Sequence, residues 1–114
     1  MTKIEQEQID AYADVSGDRN PLHVDPAFAA TTSFGTTIAH GHLLVGLIGR
    51  ELEARYGEDW ARFGRLDVKF IAPIRSGDEA RVELGEDGAV TVLVGDRTCV
   101  LGTARLAGMR SELR

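Results

Sequence analysis

Cysteine is almost missing from this chain, which has a single one, Cys99, among 114 residues. An intrachain disulfide is therefore excluded, and this usage is typical of a protein in a reducing cytoplasm. The polar first residues predict no signal peptide. Because Cys99 lies between Thr98 and Val100 in a strand-like run, we expect it to fill space in the core and not to act as a reactive thiol.

Positive charge and long apolar runs are also scarce. Thirteen Lys and Arg residues stand against eighteen Asp and Glu residues, and the net charge of −5 argues against a nucleic-acid partner. The longest apolar stretch, Leu43 to Ile48, is far too short to cross a bilayer, so no membrane association is expected. The length and the 43% hydrophobic content fit one globular domain over residues 1–114, which a partner subunit would help to stabilise.

Two helices are predicted in the first third of the chain. Residues 3–15 place apolar side chains on one face, with Thr2 as the expected N-cap and Glu5 completing a capping box. A short helix is predicted through residue 30, with Asp25 as its N-cap and a proline at its first position.

The principal helix is predicted over residues 40–56. Its first half is apolar nearly all round, which indicates a helix enclosed by other structure. Gly46 and Gly49 each weaken a helix relative to alanine, so we expect another backbone to pack closely against them.

The second half of the chain changes to the alternation typical of strands. Short turns rich in Gly and Asp separate these runs and are of a length that favours antiparallel hairpins. Helices followed by hairpin strands predict an α+β protein in which one apolar helix lies on a curved antiparallel sheet. The strands are predicted over residues 65–71, 79–84, 89–94 and 98–106.

The polar stretch from Tyr12 to His23 is the first candidate site. It puts a carboxylate (Asp18), an amide (Asn20) and an imidazole (His23) within six residues. A glycine and a proline interrupt the stretch, so we expect the part of it that follows the first helix to be non-helical. Each residue also has an ordinary interpretation: Asp18 and Asn20 are common in turns and caps, and His23 alone could be a surface histidine.

A second motif, residues 38–42, opens the principal helix with Ala39-His40-Gly41-His42. His40 is expected to have a structural role, bonded to backbone where the helix begins, and His42 is expected to line the helix surface. Three histidines raise the alternative of a metal site, but His-x-His at a helix start splays its rings apart and no cysteine is near, so no metal is predicted.

These residues carry a resemblance to a known family. The chain resembles the MaoC-like, (R)-specific enoyl-CoA hydratase family over roughly residues 4–106, and the first of three motifs is the most specific. The resemblance implies the hot-dog fold, a long apolar helix wrapped by a curved antiparallel sheet. The motifs are Tyr12-Ala-x-x-Ser16-Gly17-Asp18-x-Asn20-Pro21-x-His23-x-Asp25, Ile38-Ala39-His40-Gly41 and Phe70-x-x-Pro73-x-x-x-Gly77-Asp78.

The resemblance also implies an activity and a set of roles. Family members dimerise, with active sites at the subunit boundary, and hydrate trans-2-enoyl thioesters of coenzyme A or acyl carrier protein, or dehydrate (3R)-hydroxyacyl thioesters, without a cofactor. Asp18 and His23 would be the catalytic acid–base pair and Asn20 would help to hold the water. The backbone N–H of Gly41 would face the thioester oxygen, a role that suits the start of a buried helix.

The chain departs from the family pattern in its short N-terminus, where only a few residues precede the first helix, in short strands after Pro73, and in His42, where an apolar residue is common. Two other functions therefore stay open: a non-catalytic hot-dog subunit that binds acyl thioesters and supports a partner, and a thioesterase on the same fold. Arg65, Lys69 and Arg75 are candidates for the coenzyme A phosphates, although most surface bases are only solvated.

Overall fold

The computed structural model describes residues 1–108, and the last six residues of the predicted domain lie outside the described part. Five helices and five strands form within it. The helices are α1 Gln6–Ser16, α2 Pro21–Val24, α3 Pro26–Ala30, α4 Gly41–Tyr56 and α5 Glu58–Phe63. The strands are β1 Thr2–Lys3, β2 Gly64–Phe70, β3 Glu79–Leu84, β4 Ala89–Val94 and β5 Arg97–Leu106.

The strands form one antiparallel sheet in the order β1-β3-β4-β5-β2. Strand β2 lies at one edge and pairs with β5 along its whole length, from Gly64 opposite Leu106 to Phe70 opposite Val100. The predicted α+β architecture is confirmed, as is the hot-dog arrangement of a principal helix with an antiparallel sheet. The predicted strands 79–84 and 89–94 coincide with β3 and β4.

Helix α4 supplies one face to the core. Leu44, Ile48 and Leu52, four residues apart, are buried and belong to one apolar cluster with the sheet residues. Cys99 is fully buried in the same cluster, as expected for a core residue. The sheet members of this cluster include Ala80, Val90, Val92, Val100 and Ala104.

The opposite face of α4 is open, which the apolar sequence of its first half did not predict. His42, Gly46 and Arg50 are exposed, and a Cβ added at Gly46 or Gly49 would meet no atom within 4 Å. The expectation of a helix enclosed on all sides, with a backbone close to both glycines, is therefore wrong for the single chain. The sheet of one chain covers only one side of the helix.

The start of α1 differs from the prediction. Its N-cap is Glu5, whose N–H group donates to Oε1 of Gln8 at 2.9 Å in a capping box. Thr2 instead lies in β1, opposite Ala80 of β3, so its predicted role as N-cap is wrong. The few residues before α1 thus do form a strand, of two residues.

Two short helices were not predicted. Residues 21–24 form a single turn, because proline at the first helical position loses an N–H that would be unbonded there anyway. The expectation that the part of this stretch beyond the first helix is non-helical is therefore wrong at its end, near His23. Helix α5 follows α4 directly after Gly57, and its Trp60 stacks on Tyr56 with ring centroids 6.3 Å apart. No helix among residues 1–108 is long and apolar enough to cross a bilayer.

Candidate active site

The carboxylate of Asp18 lies on the short turn between α1 and α2. Helix α1 ends at Gly17, whose φ of 80° is the left-handed conformation that glycine adopts without strain. Asp18 Oδ1 accepts the N–H of Asn20 at 3.3 Å, and Asn20 Oδ1 accepts the N–H of Leu22 at 3.0 Å. Asn20 is thus the N-cap of α2, and its amide nitrogen is left to meet a water.

Helix α2 places His23 against the segment that precedes α4. Nδ1 of His23 lies 2.8 Å from the carbonyl oxygen of Ile38. Because a carbonyl can only accept, Nδ1 must carry the proton, and the neutral ring presents the lone pair of Nε2. The His23 side chain is only 14% exposed, so this bond holds the ring in one orientation.

Asp18 and His23 face each other. Oδ2 of Asp18 lies 3.9 Å from Nε2 of His23. This distance is too long for a direct hydrogen bond between the two groups. The carboxylate is 56% exposed in the single chain, whereas the imidazole is largely covered. The structure therefore brings the predicted acid–base pair together.

His23 and Gly41 line the same cleft, which has a volume of about 380 Å³. Its walls are otherwise almost wholly apolar, so the imidazole and the start of α4 are its polar features. Phe34, from the loop after α3, is one of the lining residues. The remaining walls are Ile38, Ala39, Leu44, Phe70, Ile71, Ala72, Pro73 and Ile74.

Gly41 is the first residue of α4, where backbone N–H groups lack intrahelical acceptors. The ring of Phe70, from the end of β2, lies beside it. A Cβ at position 41 would stand 3.0 Å from Cζ of Phe70, closer than carbon atoms normally approach. Glycine therefore allows the aromatic ring and the helix start to share one side of the cleft.

His40 contributes contacts that sequence reasoning did not find. It is buried, its Nε2 lies 2.9 Å from the backbone oxygen of Asp18, and its ring stacks on that of His23. The motif Ala39-His40-Gly41 was the available signal for His40, but a sequence motif does not show which residues the His40 ring contacts. The expected backbone bond of His40 is confirmed, while His42 lies exposed at a separate groove.

The group of possible metal ligands within residues 1–108 is Asp18, His23 and His40, with one donor atom from each lying within 4.8 Å of the others. The two imidazole rings are stacked, with planes 23° apart. Imidazole lone pairs lie in the ring planes, so the two nitrogens do not point at one ion as zinc ligands must. The absence of a metal stays a prediction.

The candidate bases for a phosphate lie at the cleft and on the edge strand. Arg75 donates through Nε to the carbonyl of Phe34 at 3.0 Å, which places it beside a cleft residue. Lys69 and Arg65 lie exposed on β2. Their phosphate-binding role stays a prediction.

Residues 1–104 match the MaoC like domain family, which is nearly the whole described chain. This chain belongs to the MaoC-like family.

Named relatives agree with this assignment. The MaoC-like chain is 38% identical over 120 residues to a 3-hydroxybutyryl-CoA dehydratase of Methylorubrum extorquens, covering 96% of this chain and 76% of the relative. It is 39% identical over 103 residues to an (R)-specific enoyl-CoA hydratase of Aeromonas caviae, covering 87% of this chain and 71% of the relative.

Solved structures of the family share the fold. The MaoC-like chain superimposes on the (R)-hydratase from A. caviae involved in PHA biosynthesis with a TM-score of 0.70 and 31% identity, over 92% of this chain and 89% of that one. The R-hydratase PhaJ1 from Pseudomonas aeruginosa gives a TM-score of 0.71 at 29% identity, over 96% and 77% of the two chains.

Proposed function

We propose that this MaoC-like protein is a hydro-lyase of fatty acid metabolism. It adds water to trans-2-enoyl thioesters to give (3R)-hydroxyacyl thioesters, or removes water in the reverse direction. The activities named for its relatives support the reaction class. The site is supported by His23, which lines the apolar cleft, and by Asp18, whose carboxylate lies 3.9 Å from the His23 ring.

The observation that carries this proposal is the 3.9 Å gap between Oδ2 of Asp18 and Nε2 of His23. A water oxygen about 2.8 Å from both atoms, the usual hydrogen-bond length, would see them about 90° apart. Both atoms are acceptors when the carboxylate is ionised and the ring is neutral, so one water can donate a hydrogen bond to each. One lone pair of the water oxygen is then free to face a substrate, even if the other accepts a hydrogen bond.

The reaction follows from this arrangement. The water oxygen bonds to C3 as Asp18 and His23 take up its proton, and the pair returns a proton to C2. We treat the two groups as one coupled acid–base unit, since such pairs titrate together. Asn20 would help to hold the water through its amide nitrogen.

Charge also develops on the thioester oxygen during addition. The backbone N–H of Gly41 would stabilise it, because the first N–H groups of a helix are unbonded and the helix dipole is positive there. No step in this scheme requires a cofactor.

The apolar walls of the cleft would hold the acyl chain, with the thioester at its polar end beside Gly41. Arg75, bonded to Phe34 at the cleft, is the base best placed to meet a phosphate of the carrier, coenzyme A or acyl carrier protein.

We further propose that two copies assemble into a dimer in the cytoplasm. Strand β2 is an edge of seven residues, and an edge strand exposes backbone groups that can pair with another strand. Phe70 and Ile71, at its end, are each 50% exposed. A second copy would cover these side chains and the open face of α4. Light scattering, with activity followed on dilution, tests this: full specific activity from a monomer would exclude a shared site.

The activity is tested by the loss of crotonyl-CoA absorbance at its enoyl band. Wild type should consume the band, and Asp18→Asn and His23→Ala should each be at least about a hundredfold slower, the usual size of a general acid–base effect. Glu7→Gln is the matched control, because it removes an exposed acid from α1 outside the cleft and should leave the rate unchanged.

The same assay separates the alternatives. Release of free thiol, detected with a thiol reagent, would identify a thioesterase. Tight binding of enoyl thioesters of several chain lengths without turnover would identify a non-catalytic subunit. Wild-type rates in the Asp18→Asn variant would refute the proposed pair even if the reaction itself is correct.

A further inference from the structure

One buried ring contacts both members of the proposed acid–base pair. His40 is 3% exposed and is the residue that precedes α4. Its Nε2 lies 2.9 Å from the backbone oxygen of Asp18, to which it donates. The same ring stacks on the ring of His23, with centroids 3.9 Å apart and planes inclined by 23°. The ring of Tyr12 packs edge-on against the His40 ring, with centroids 4.9 Å apart.

The Asp18 turn depends on this contact. Asp18 and its neighbours lie between α1 and α2, and the other hydrogen bonds of the Asp18 backbone and carboxylate are local, to Ser16 and Asn20. Among residues 1–108, the bond to His40 is the one that ties the Asp18 backbone to a distant element. Since the carboxylate is 56% exposed, its position relative to His23 rests on this anchor.

The ring of His23 is held from two directions. Its Nδ1 donates to the carbonyl of Ile38 in the ring plane, and the stack with His40 covers one ring face. A bond in the plane leaves rotation about that bond possible, and a flat neighbour against the face opposes this rotation. Together the two contacts aim Nε2 at Asp18.

His40 has no sign of a direct chemical role. Its Nε2 is occupied as a donor, and its Nδ1 is buried with no hydrogen-bond partner in the described part of the chain. A buried polar atom without a partner lowers stability, so stability alone does not explain an imidazole at this position. Its contacts to both catalytic groups do.

We propose that His40 is a positioning residue that sets the 3.9 Å separation of Asp18 and His23. The inference rests on the proposed hydration chemistry for its effect on rate. The predicted geometry does not depend on that chemistry and can be measured without a substrate.

Two substitutions separate the two contacts. His40→Phe keeps a flat ring against His23 and removes the donor to Asp18, whereas His40→Gln keeps a donor and removes the ring. Glu7→Gln is again the control, because it changes an exposed side chain of α1 outside the cleft and away from the open face of α4. Each variant is compared with wild type at a temperature where circular dichroism shows it to be folded.

Both His40 variants should lower kcat by about 10- to 100-fold, the cost typical of a misplacement near 1 Å, with KM changed by no more than about threefold. In ¹⁵N NMR spectra, wild-type His23 should show the Nδ1–H tautomer. His40→Gln should shift these signals and broaden them, because the ring regains rotation. The control should match wild type in both measurements.

The outcomes distinguish this proposal from the proposed function. If wild type turns over no enoyl thioester, the function fails, and the NMR signals still decide whether His40 orders His23. If wild type is active and both His40 variants keep wild-type kcat with unchanged His23 signals, the positioning role is refuted. Loss of activity in proportion to loss of folded protein would likewise show a purely structural role.

Discussion

Gly41→Ala separates the stability of the α4 start from its proposed chemistry. The added Cβ would lie 3.0, 3.2 and 3.4 Å from three carbons of the Phe70 ring. Carbon atoms in contact normally lie about 3.5–4.0 Å apart, so the ring must retreat by about 0.5–1 Å. In the single chain Phe70 is 50% exposed and its outer side is free to move, which places the cost for that chain near the lower end of the ~1–3 kcal/mol seen for overpacking.

A gain in helix propensity opposes this cost. Alanine is more favourable than glycine by about 0.5–1 kcal/mol inside a helix, and by less at its first residue. The free energy of unfolding of Gly41→Ala should therefore stay within about 1 kcal/mol of wild type, measured by urea denaturation. Catalysis should suffer more, because the methyl group and the displaced ring both crowd the N–H that would meet the thioester oxygen. A lost oxyanion donor typically costs about 10²–10³ in kcat.

The double variant Gly41→Ala with Phe70→Ala identifies the cause. If crowding by the ring is responsible, removing it should restore part of the lost kcat, and the two effects should be strongly non-additive. Phe70→Ala alone is the control for the loss of a cleft wall. A Gly41→Ala enzyme with wild-type kcat would refute the assignment of this N–H to the oxygen, and a destabilisation well above about 2 kcal/mol would refute the packing argument.

Three further predictions concern the frame around the site. Gln6→Ala removes an amide that donates to the carbonyl of His23 at 2.9 Å and accepts from Thr37, and should cost about 1–3 kcal/mol in urea denaturation; an unchanged midpoint would contradict it. Gly46→Ala should stabilise an isolated chain by up to about 1 kcal/mol, and a weakened dimer in light scattering would instead indicate a second copy packed there. Gly102→Ala puts a Cβ 2.3 Å from the backbone oxygen of Asp67 on the paired strand. It should therefore lower the free energy of unfolding by at least about 2 kcal/mol and Tm by several degrees. A wild-type Tm would refute the β2–β5 register.

Local patterns in the sequence were sufficient for most of the secondary structure. Alternation between Gly- and Asp-rich turns placed β3 and β4 at their observed limits, because each strand face and each hairpin turn is determined by neighbouring residues. The start of α1 was misplaced by three residues, since Thr2 and Glu5 both suit an N-cap and only the pairing of Thr2 with β3 selects Glu5.

The open face of α4 is a feature that the sequence did not predict. Its apolar first half predicted enclosure on all sides, but whether a face is covered depends on which elements reach it. One sheet covers one side. Sequence composition cannot state whether the remaining side is covered by the same chain or by another.

The amino-acid sequence by itself determined which residues belong to the candidate site. The order Asp18, Asn20, His23 and then Gly41 carried the family resemblance, and a family match over residues 1–104 confirms that family. The tertiary structure alone decided how they meet. The bond from His23 to Ile38 spans fifteen residues and that from His40 to Asp18 spans twenty-two. Such contacts form only when α2 and the start of α4 pack together, and no periodicity within either segment encodes the distance between them.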